Sequence, residues 1–417
     1  MKEYWFYLES EIFVFKKKSK ILLYNSLSHK MMCVYPSIEV VRLIDKLTDP
    51  NELYVVAISS KDLDNKQINS FIHNVRQSYF GDLILKSGDI KPVIIPPILK
   101  IHKSKSTIYK DPGFNLGKDI LLNINELIIY INGKCSENCE FCKKMNHQFD
   151  FCTKNSDELC MKDIEKILNV ALNSYCAKLI ITGGNIFKHT AFFDLFEMIK
   201  QKQQSMEVEF GIHYLNLEME KYNYIVNSVV NLSVYITFPT DKSKLMKFFQ
   251  YANSTLDRVT FNFVVKEESE LILVQNLIEK YQIEDKTVIK PFYDGKNNRF
   301  FGNCVFYDEN DIQNSFPSKQ ELFAKQSFNT YDFGRLIVRS NGDIQANANH
   351  PVIGNISENI ADIIYKEFTE GKSWFRTRDQ APCNDCVYQW LCPSPSNYEI
   401  AIGKPNLCHV KIEENEK

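Results

Sequence analysis

The stretch Cys135-Ser136-Glu137-Asn138-Cys139-Glu140-Phe141-Cys142 carries three thiols within eight residues and follows the apolar run Leu127-Ile128-Ile129-Tyr130-Ile131. This run is short, rich in β-branched residues and apolar on both faces, which is typical of a buried parallel strand. Asn132-Gly133 ends the strand, so we expect the thiols on a loop at its carboxyl end. In barrels of alternating strands and helices, that end carries the chemistry.

Three clustered thiols favour a soft metal or an iron–sulfur cluster as the bound group. Structural zinc prefers paired C-x-x-C units that close a tetrahedron, and no fourth ligand follows these cysteines nearby at that spacing. A cubane held by three cysteines would keep one iron open for a substrate or cofactor. Two alternatives remain: a zinc site with a distant fourth ligand, and three coincidentally buried cysteines.

The pattern C-x-x-x-C-x-aromatic-C after a first barrel strand resembles the radical S-adenosylmethionine (SAM) enzymes. The resemblance implies that Cys135, Cys139 and Cys142 hold a 4Fe–4S cluster whose fourth iron is chelated by SAM. It further implies reductive cleavage of SAM to a 5′-deoxyadenosyl radical, which abstracts a hydrogen from the substrate. It also implies that Phe141 packs near the adenine and the cluster; an ordinary loop aromatic is the alternative.

Composition sets limits on the class of protein. The chain has 417 residues, enough for two or three domains, with 44% hydrophobic and 24% charged residues, as in soluble globular proteins. The net charge of −2 predicts neither a nucleic-acid nor a membrane partner, and no signal peptide or membrane-spanning run is expected.

The chain has 12 cysteines, of which seven fall into two groups with ligand-like spacing. This grouping favours metal sites in a reducing cytoplasm over a disulfide scaffold. We interpret the remaining five as ordinary buried or partly buried thiols: Cys33, Cys152, Cys160, Cys176 and Cys304.

Residues 1–120 are predicted to form an N-terminal α+β module. The expected strands are 20–25, 31–35, 53–58 and 81–85, and the expected helices follow Ser37 and cover about 63–77. The module resembles the winged-helix peptide-recognition element of modified-peptide biosynthesis, which implies that a leader peptide adds as a strand to its exposed edge. A capping or dimerisation domain is the alternative.

Between residues 121 and 325, strand and helix patterns alternate in six units. The strand candidates are 127–131, 178–182, 208–214, 232–238, 258–265 and 287–291, and the helix candidates are 157–172, 189–203, 217–226, 242–252 and 268–281. Such alternation predicts an α/β fold with a parallel sheet, which right-handed crossovers curl into a barrel. Six units fit the partial (β/α)6 radical SAM barrel better than a full eight-stranded one.

The second strand ends in Thr182-Gly183-Gly184-Asn185, where two glycines permit close approach of the backbone to a ligand. The radical SAM family usually has Gly-Gly-Glu here, so the resemblance implies that Gly183, Gly184 and Asn185 bind SAM. Asn185 supplies a carbonyl acceptor but no charge. Alone, the two glycines would indicate only a turn. Thr237, at the end of the fourth strand, is a candidate for the ribose or an ordinary core hydroxyl.

Residues 326–417 no longer show the alternation of strand and helix patterns. Asn341-Gly342 lies between two short apolar runs and predicts a hairpin, because both positions tolerate positive φ. A helix is expected over 360–370, stopped by Gly371. The chain then ends in a cysteine-rich tail whose spacing suits zinc as well as an iron–sulfur cluster: Cys383, Cys386, Cys392 and Cys408.

Hairpin, Gly354-Asn355-Ile356, helix and cysteine-rich tail together resemble the SPASM or twitch-like extension of radical SAM peptide maturases, which carries auxiliary 4Fe–4S clusters. Cysteines that the family would place near 331–333, at Asn347 and at Ser396 are absent. The resemblance assigns those three to the inner auxiliary cluster and the four tail cysteines to the outer one. It therefore implies one auxiliary 4Fe–4S cluster.

The segment from Cys392 to His409 resembles the maturases that accompany ATP-grasp ligases in grasp-with-spasm peptide cassettes. The resemblance implies a radical SAM/SPASM-domain peptide maturase that acts on a ribosomally made precursor peptide. Its implied partners are an ATP-grasp ligase and an electron donor such as flavodoxin or ferredoxin. One alternative is a non-catalytic iron–sulfur scaffold that presents the peptide to the ligase, which Asn185 and the missing cysteines favour. Another is a zinc-binding interaction protein.

Overall fold

The computed structural model describes residues 2–88, 90–97, 119–137, 139, 142–202, 206–226, 230–252 and 258–410. Within these ranges, no helix is both long enough and apolar enough to cross a bilayer. The described chain forms two small N-terminal sheets, a central sheet of parallel strands flanked by helices, and a C-terminal extension.

The N-terminal region contains two three-stranded antiparallel sheets, ordered β5-β1-β6 and β2-β3-β4. Its elements are β1 (Glu3–Leu8), β2 (Ile12–Lys16), β3 (Ile21–Asn25), β4 (Met31–Val34), α1 (Ile38–Leu47), β5 (Val55–Ser59), α2 (Ser60–Leu63), α3 (Lys66–Gln77) and β6 (Gly81–Leu85). Ser37 caps α1 as predicted, because its side chain accepts a hydrogen bond from the Val40 N–H at 3.4 Å. Strands β1 and β2 are additional to the predicted elements.

The central sheet contains six parallel strands in sequence order, which confirms the predicted α/β alternation. The strands are β7 (Glu126–Asn132), β8 (Lys178–Gly183), β9 (Glu207–His213), β10 (Asn231–Thr237), β11 (Val259–Val265) and β12 (Thr287–Pro291). The helices are α4 (Cys142–Phe149), α5 (Met161–Leu172), α6 (Phe192–Lys202), α7 (Met219–Val226), α8 (Lys242–Ala252) and α9 (Glu268–Tyr281). The carboxyl ends of the six parallel strands therefore lie at one edge of the sheet, which is where the predicted site residues lie.

Helix α5 begins later than the sequence pattern predicts, at Met161 rather than near residue 157. The preceding residues run beside β7 instead of coiling: the Leu159 N–H donates to the Ile131 carbonyl at 2.9 Å, and Glu158 forms a bridge with Asn132. Pairing with a strand has overridden local helix propensity here.

The two faces of the sheet differ in chemistry. Alternate residues, such as Ile129, Phe210 and Val234, join one core with the flanking helices. Because side chains alternate along a strand, the residues between them face the opposite side, which we call the inner face. It carries polar and aromatic side chains, including Tyr130, Ser233, Tyr235 and Asn262. This face therefore offers hydrogen-bonding and aromatic groups to a ligand.

The C-terminal extension continues the same sheet. Its elements are α10 (Asn298–Val305), α11 (Glu309–Gln313), α12 (Lys319–Ser327), β13 (Arg335–Val338), β14 (Asp343–Gln345), β15 (Gly354–Asn355), α13 (Ile360–Glu370) and α14 (Asn397–Ile402). The predicted hairpin is present, with Gly342 at φ +87°, and β13 pairs in parallel with β7. The hairpin therefore lies directly beside the strand that leads into the three-cysteine loop.

Candidate active site and auxiliary cysteine site

The three-cysteine loop lies at the carboxyl end of β7, against the turn that follows β8. The Gly184 N–H donates to the Asn132 carbonyl at 2.9 Å, and the Asn185 N–H donates to the Lys134 carbonyl at 2.6 Å. A Cβ on Gly184 would lie 2.5 Å from the Lys134 carbonyl oxygen, so only glycine permits this approach. The two predicted binding segments are thus brought together by backbone contacts.

The thiols of Cys135, Cys139 and Cys142 are all half-buried on this one loop. Burial, followed by the neighbouring thiols of Cys142 and Cys135, raises the pKa of Cys139 to about 11. Phe141 lies outside the described residues, as do Asn138 and Glu140. The binding of one cluster by these three thiols and the role of Phe141 both stay predictions.

Asn216 contacts the loop from the end of β9, a contact that sequence analysis missed. Its side-chain amide lies 3.5 Å from the Cys135 sulfur and 3.5 Å from the Gly184 carbonyl oxygen, and its side chain is buried. An amide N–H that donates to a thiolate stabilises the charged sulfur. Asn216 follows directly after a strand end, which is the one signal in the sequence that could have identified it.

Cys152 also lies at this site, which corrects its interpretation as an ordinary buried thiol. Its sulfur is 3.4 Å from the Cys142 sulfur, and the side chain is only 4% exposed. Hydrogen bonds with the Cys152 thiol lower the pKa of Cys142, and they lower the pKa of Cys135 to about 5. Hydrogen bonding to those two thiols, followed by burial, raises the pKa of Cys152 itself. The site therefore holds four thiols.

The thiols of the loop are the donor type that binds iron–sulfur clusters. Among the described residues, no three His, Cys, Asp or Glu side chains are arranged to hold one metal ion. A single zinc ion requires all its ligands within about 2.3 Å of one point, whereas a cubane binds each cysteine at a different iron. Three soft thiols on one loop, with the Asn216 amide beside one of them, suit that group.

Asn185 is buried, and its side-chain oxygen accepts the Phe187 N–H at 3.0 Å, where it caps a short 3-10 helix over Ile186–Lys188. Its side-chain amide therefore serves the local backbone. Thr237 lies at the end of β10 as predicted, and its hydroxyl is 2.9 Å from His213 Nε2. His213 Nδ1 accepts the Leu215 N–H at 3.3 Å, so Nε2 carries the proton and donates to Thr237.

His213 and Tyr235 are inner-face residues that sequence analysis did not single out. His213 is 2% exposed, and burial lowers its pKa to about 4, so the imidazole is neutral at pH 7. The Phe151 ring lies 4.4 Å from the Tyr235 ring and 6.0 Å from the His213 ring. Because side chains alternate between the two faces of a strand, counting every second residue along β9 and β10 would have placed both on the inner face.

The four tail cysteines line one small cavity together with Arg378 and Tyr307. Burial, followed by the thiols of Cys408 and Cys383, raises the pKa of Cys386 to about 11, and burial raises that of Cys392 to about 12. Arg378 Nη1 lies 3.8 Å from the Cys383 sulfur and 2.8 Å from the Glu399 carboxylate. The structure thus brings together all four sequence-predicted ligands, beside a buried cation that favours their thiolate form.

A buried polar network occupies the three positions where family cysteines are absent. The Asn347 side-chain amide donates to Asp332 at 2.9 Å, and Arg376 pairs with the same carboxylate at 3.2 Å. Arg376 also donates to the Ser396 carbonyl at 3.3 Å. Positions 331–333, Asn347 and Ser396 are therefore neighbours in space, and an ion pair with its hydrogen bonds fills the volume between them.

Comparison with solved structures shows a likeness in fold. No family model and no curated protein sequence matches the chain. A crystal structure of Streptococcus suis SuiB bound to precursor peptide SuiA aligns at a TM-score of 0.52 and 14% identity, covering 97% of this chain and 100% of SuiB.

SuiB bound to S-adenosylmethionine aligns over the same shares of both chains at 14% identity and a TM-score of 0.49. Native anSMEcpe with bound AdoMet aligns at 14% identity and a TM-score of 0.44, over 64% of this chain and 88% of the anSMEcpe chain. The likeness to SuiB and the six parallel strands together show the predicted architecture, an α/β partial (β/α)6 barrel with N-terminal and C-terminal additions.

Proposed function

We propose that this protein is a radical SAM enzyme that reductively cleaves SAM and modifies a ribosomally made precursor peptide. The observation that carries the proposal is the position of the loop with Cys135, Cys139 and Cys142, which follows the first barrel strand and is held against the Gly183-Gly184 turn by backbone hydrogen bonds. The likeness in fold to SuiB, whose structure was determined with its precursor peptide, supports a peptide as the substrate class.

Cys135, Cys139 and Cys142 would ligate the SAM-binding 4Fe–4S cluster. When bound, such a cluster supplies the electron that cleaves SAM and yields a 5′-deoxyadenosyl radical. Asn216 would stabilise the Cys135 thiolate through its amide N–H. Gly183, Gly184 and Asn185 would recognise SAM through their backbone, since the Asn185 oxygen is already bonded to the Phe187 N–H. Thr237 would meet the ribose, and Phe141 the adenine.

The inner face would hold the peptide residue to be modified. Two of its polar groups, the buried His213 and the half-buried Thr237, are hydrogen-bonded to each other. Residues 1–120 would bind the leader part of the precursor. In the described part of the chain, β4 pairs only with β3, so its outer edge can accept an added strand.

Cys383, Cys386, Cys392 and Cys408 would ligate one auxiliary 4Fe–4S cluster. Four thiols around one cavity leave no open iron, so this cluster would serve structure or electron transfer rather than substrate binding. The Asp332–Arg376 pair occupies the region of a second cluster, which supports a single auxiliary site. The subtype we propose is a SPASM maturase of grasp-with-spasm type, cytoplasmic, with a flavodoxin or ferredoxin donor and an ATP-grasp ligase acting on the same peptide.

The test is formation of 5′-deoxyadenosine by protein reconstituted and reduced without oxygen and then mixed with SAM. We expect the wild type to form it and Cys139→Ala to form none while keeping its tail cluster. Cys176→Ala is the matched control, because Cys176 is buried at a distance from both groups in sequence and donates to the Lys178 carbonyl. Cleavage retained by Cys139→Ala would refute the ligand assignment.

A non-catalytic scaffold is the second candidate, and the lack of a carboxylate at Asn185 favours it. The scaffold would bind iron at both cysteine groups and yet form no 5′-deoxyadenosine, with or without the precursor peptide. The same assay therefore separates the two functions, provided that the iron content of the sample is measured first.

A further inference from the structure

We propose that Cys142 and Cys152 form a reversible disulfide when Cys142 is not bound to a cluster and an oxidant such as glutathione disulfide is present, and that this bond protects Cys142 from irreversible oxidation. The inference rests on the proposed function only in taking Cys142 as a cluster ligand. Its basis is the 3.4 Å separation of the two sulfurs. This is a non-bonded contact, and side-chain rotation must shorten it to the bond length of about 2.05 Å.

A fixed turn brings the two cysteines together. Helix α4 begins at Cys142 and is followed by Asp150, which has a φ of +54° and reverses the chain. The Asp150 N–H donates to the Asn146 carbonyl at 3.0 Å, and its carboxylate pairs with Arg335 at 2.7 Å. Positive φ in a residue other than glycine is sustained only where its surroundings hold it. The approach of Cys152 to Cys142 is therefore built into the local backbone.

Contacts with the inner face hold the segment in place after this turn. Phe151 is 2% exposed, and its ring packs against Tyr235. The Asn146 side-chain amide donates to the Tyr130 hydroxyl at 2.8 Å and also to the Phe151 carbonyl. Cys152, the next residue, is thereby positioned by buried contacts rather than by a free loop.

The two thiols differ in accessibility, which sets the order of the reaction. Cys142 is half-buried and can meet a small oxidant, whereas Cys152 is 4% exposed. With glutathione disulfide as oxidant, the Cys142 thiolate attacks one sulfur and displaces a glutathione thiolate. The Cys152 thiolate then attacks the Cys142 sulfur, forms the internal bond and releases the second glutathione. Two electrons pass to glutathione disulfide, and the two thiol protons leave to the released thiolates or to solvent.

The disulfide would have a defined consequence for the site. A sulfur in a disulfide cannot ligate iron, so the bond blocks cluster assembly until a thiol reduces it. It also removes the free thiolate that stronger oxidants convert irreversibly to sulfinic and sulfonic acids. Cys152 is thus assigned as a resolving cysteine. Its position in the sequence, outside both cysteine groups, did not suggest this role.

The experiment uses full-length protein stripped of iron with a chelator under reducing conditions and then treated with glutathione disulfide. Cleavage after Lys143 and Lys144 separates the two cysteines, and cleavage after Glu137 and Glu140 separates Cys142 from Cys135 and Cys139, so the joined peptides identify the linked pair. We expect a Cys142–Cys152 link as the main product, with a mass loss of about 2 Da for the two hydrogens removed. Cys176→Ser should form the same link, and Cys152→Ser should form none.

A second measurement follows recovery after hydrogen peroxide. The wild type should regain its iron upon reduction and reconstitution, whereas Cys152→Ser should carry sulfinic acid at Cys142 and lose iron binding there. A main link from Cys152 to Cys135, a link between Cys142 and Cys139, or equal recovery of both proteins would overturn the proposal. These two experiments measure disulfide links and bound iron, and the test of the proposed function measures 5′-deoxyadenosine. A failure of the disulfide proposal can therefore be distinguished from a failure of the proposed function.

Discussion

Asn347 donates a hydrogen bond of 2.9 Å to Asp332, a carboxylate that is 1% exposed and also paired with Arg376. Burial is the largest influence on Asp332 and raises its pKa, while Arg376 and Asn347 oppose that rise. A buried carboxylate without its cation is strongly unfavourable. The network therefore stabilises the extension only while all of its members are present.

Arg376→Met should consequently destabilise the protein by about 3–5 kcal/mol, because it removes the cation that is ion-paired with the buried Asp332 carboxylate. The same substitution in an Asp332→Asn background should cost much less, since no charge is then left unpaired. Urea unfolding of reduced protein under nitrogen measures both. Equal losses in the two backgrounds would show that the ion pair is not what Arg376 supplies.

Cys386→Ala should lower the iron content from about eight to about four per chain, because it removes one ligand of the auxiliary cubane. It should also lower solubility or electron supply to the SAM site. The exposed Cys304 offers a control, and Cys304→Ala should keep all the iron. Stoichiometric zinc in the tail of the wild type would contradict the assignment of this site to iron.

Asn216→Leu should lower the reduction potential of the SAM-binding cluster. In the wild type, the Asn216 N–H donates to the Cys135 sulfur and would stabilise the reduced cluster, which is the more negative state. The substitution removes this donor. A net hydrogen bond of about 1 kcal/mol corresponds to roughly 40 mV for one electron, which sets the expected size. A redox titration followed by electron paramagnetic resonance measures the shift, with Asn262→Leu on the inner face as the control. An unchanged potential would remove Asn216 from the site.

His213 should make the folded state less stable as the pH falls. Its pKa in the folded protein is about 4, against 6.5 for the free side chain, because burial disfavours the charged form. Between these values the unfolded chain binds a proton that the folded chain does not, so stability is present above about pH 6.5 and is lost toward pH 4. His213→Gln should flatten this dependence in urea unfolding at several pH values. A slope identical to that of the wild type would contradict the assignment.

The sequence predicts the barrel and both cysteine groups because their signals are local. The apolar run before Cys135, the alternation of strands and helices, and the spacing of Cys383, Cys386 and Cys392 each lie within short windows. Asn216 escapes prediction because it reaches Cys135 from the turn after another strand, across 81 positions of sequence. Such contacts depend on tertiary packing rather than on neighbouring residues.

Cys152 escapes prediction for a different reason. It lies only 10 positions after Cys142, yet the approach depends on the positive φ of Asp150 and on the Phe151 ring entering the inner face. Aspartate adopts that backbone conformation only occasionally, so the sequence gives no reason to expect the turn. The late start of α5 has the same origin, since Leu159 pairs with Ile131 in place of coiling.

Anaerobic quantification of iron and acid-labile sulfide tests the central claim most directly, namely that Cys135, Cys139 and Cys142 hold a cluster. The wild type should contain about eight irons and about eight sulfides per chain, and the variant with all three cysteines changed to alanine about four of each. Equal iron in the two proteins, or zinc in place of iron, would contradict the account.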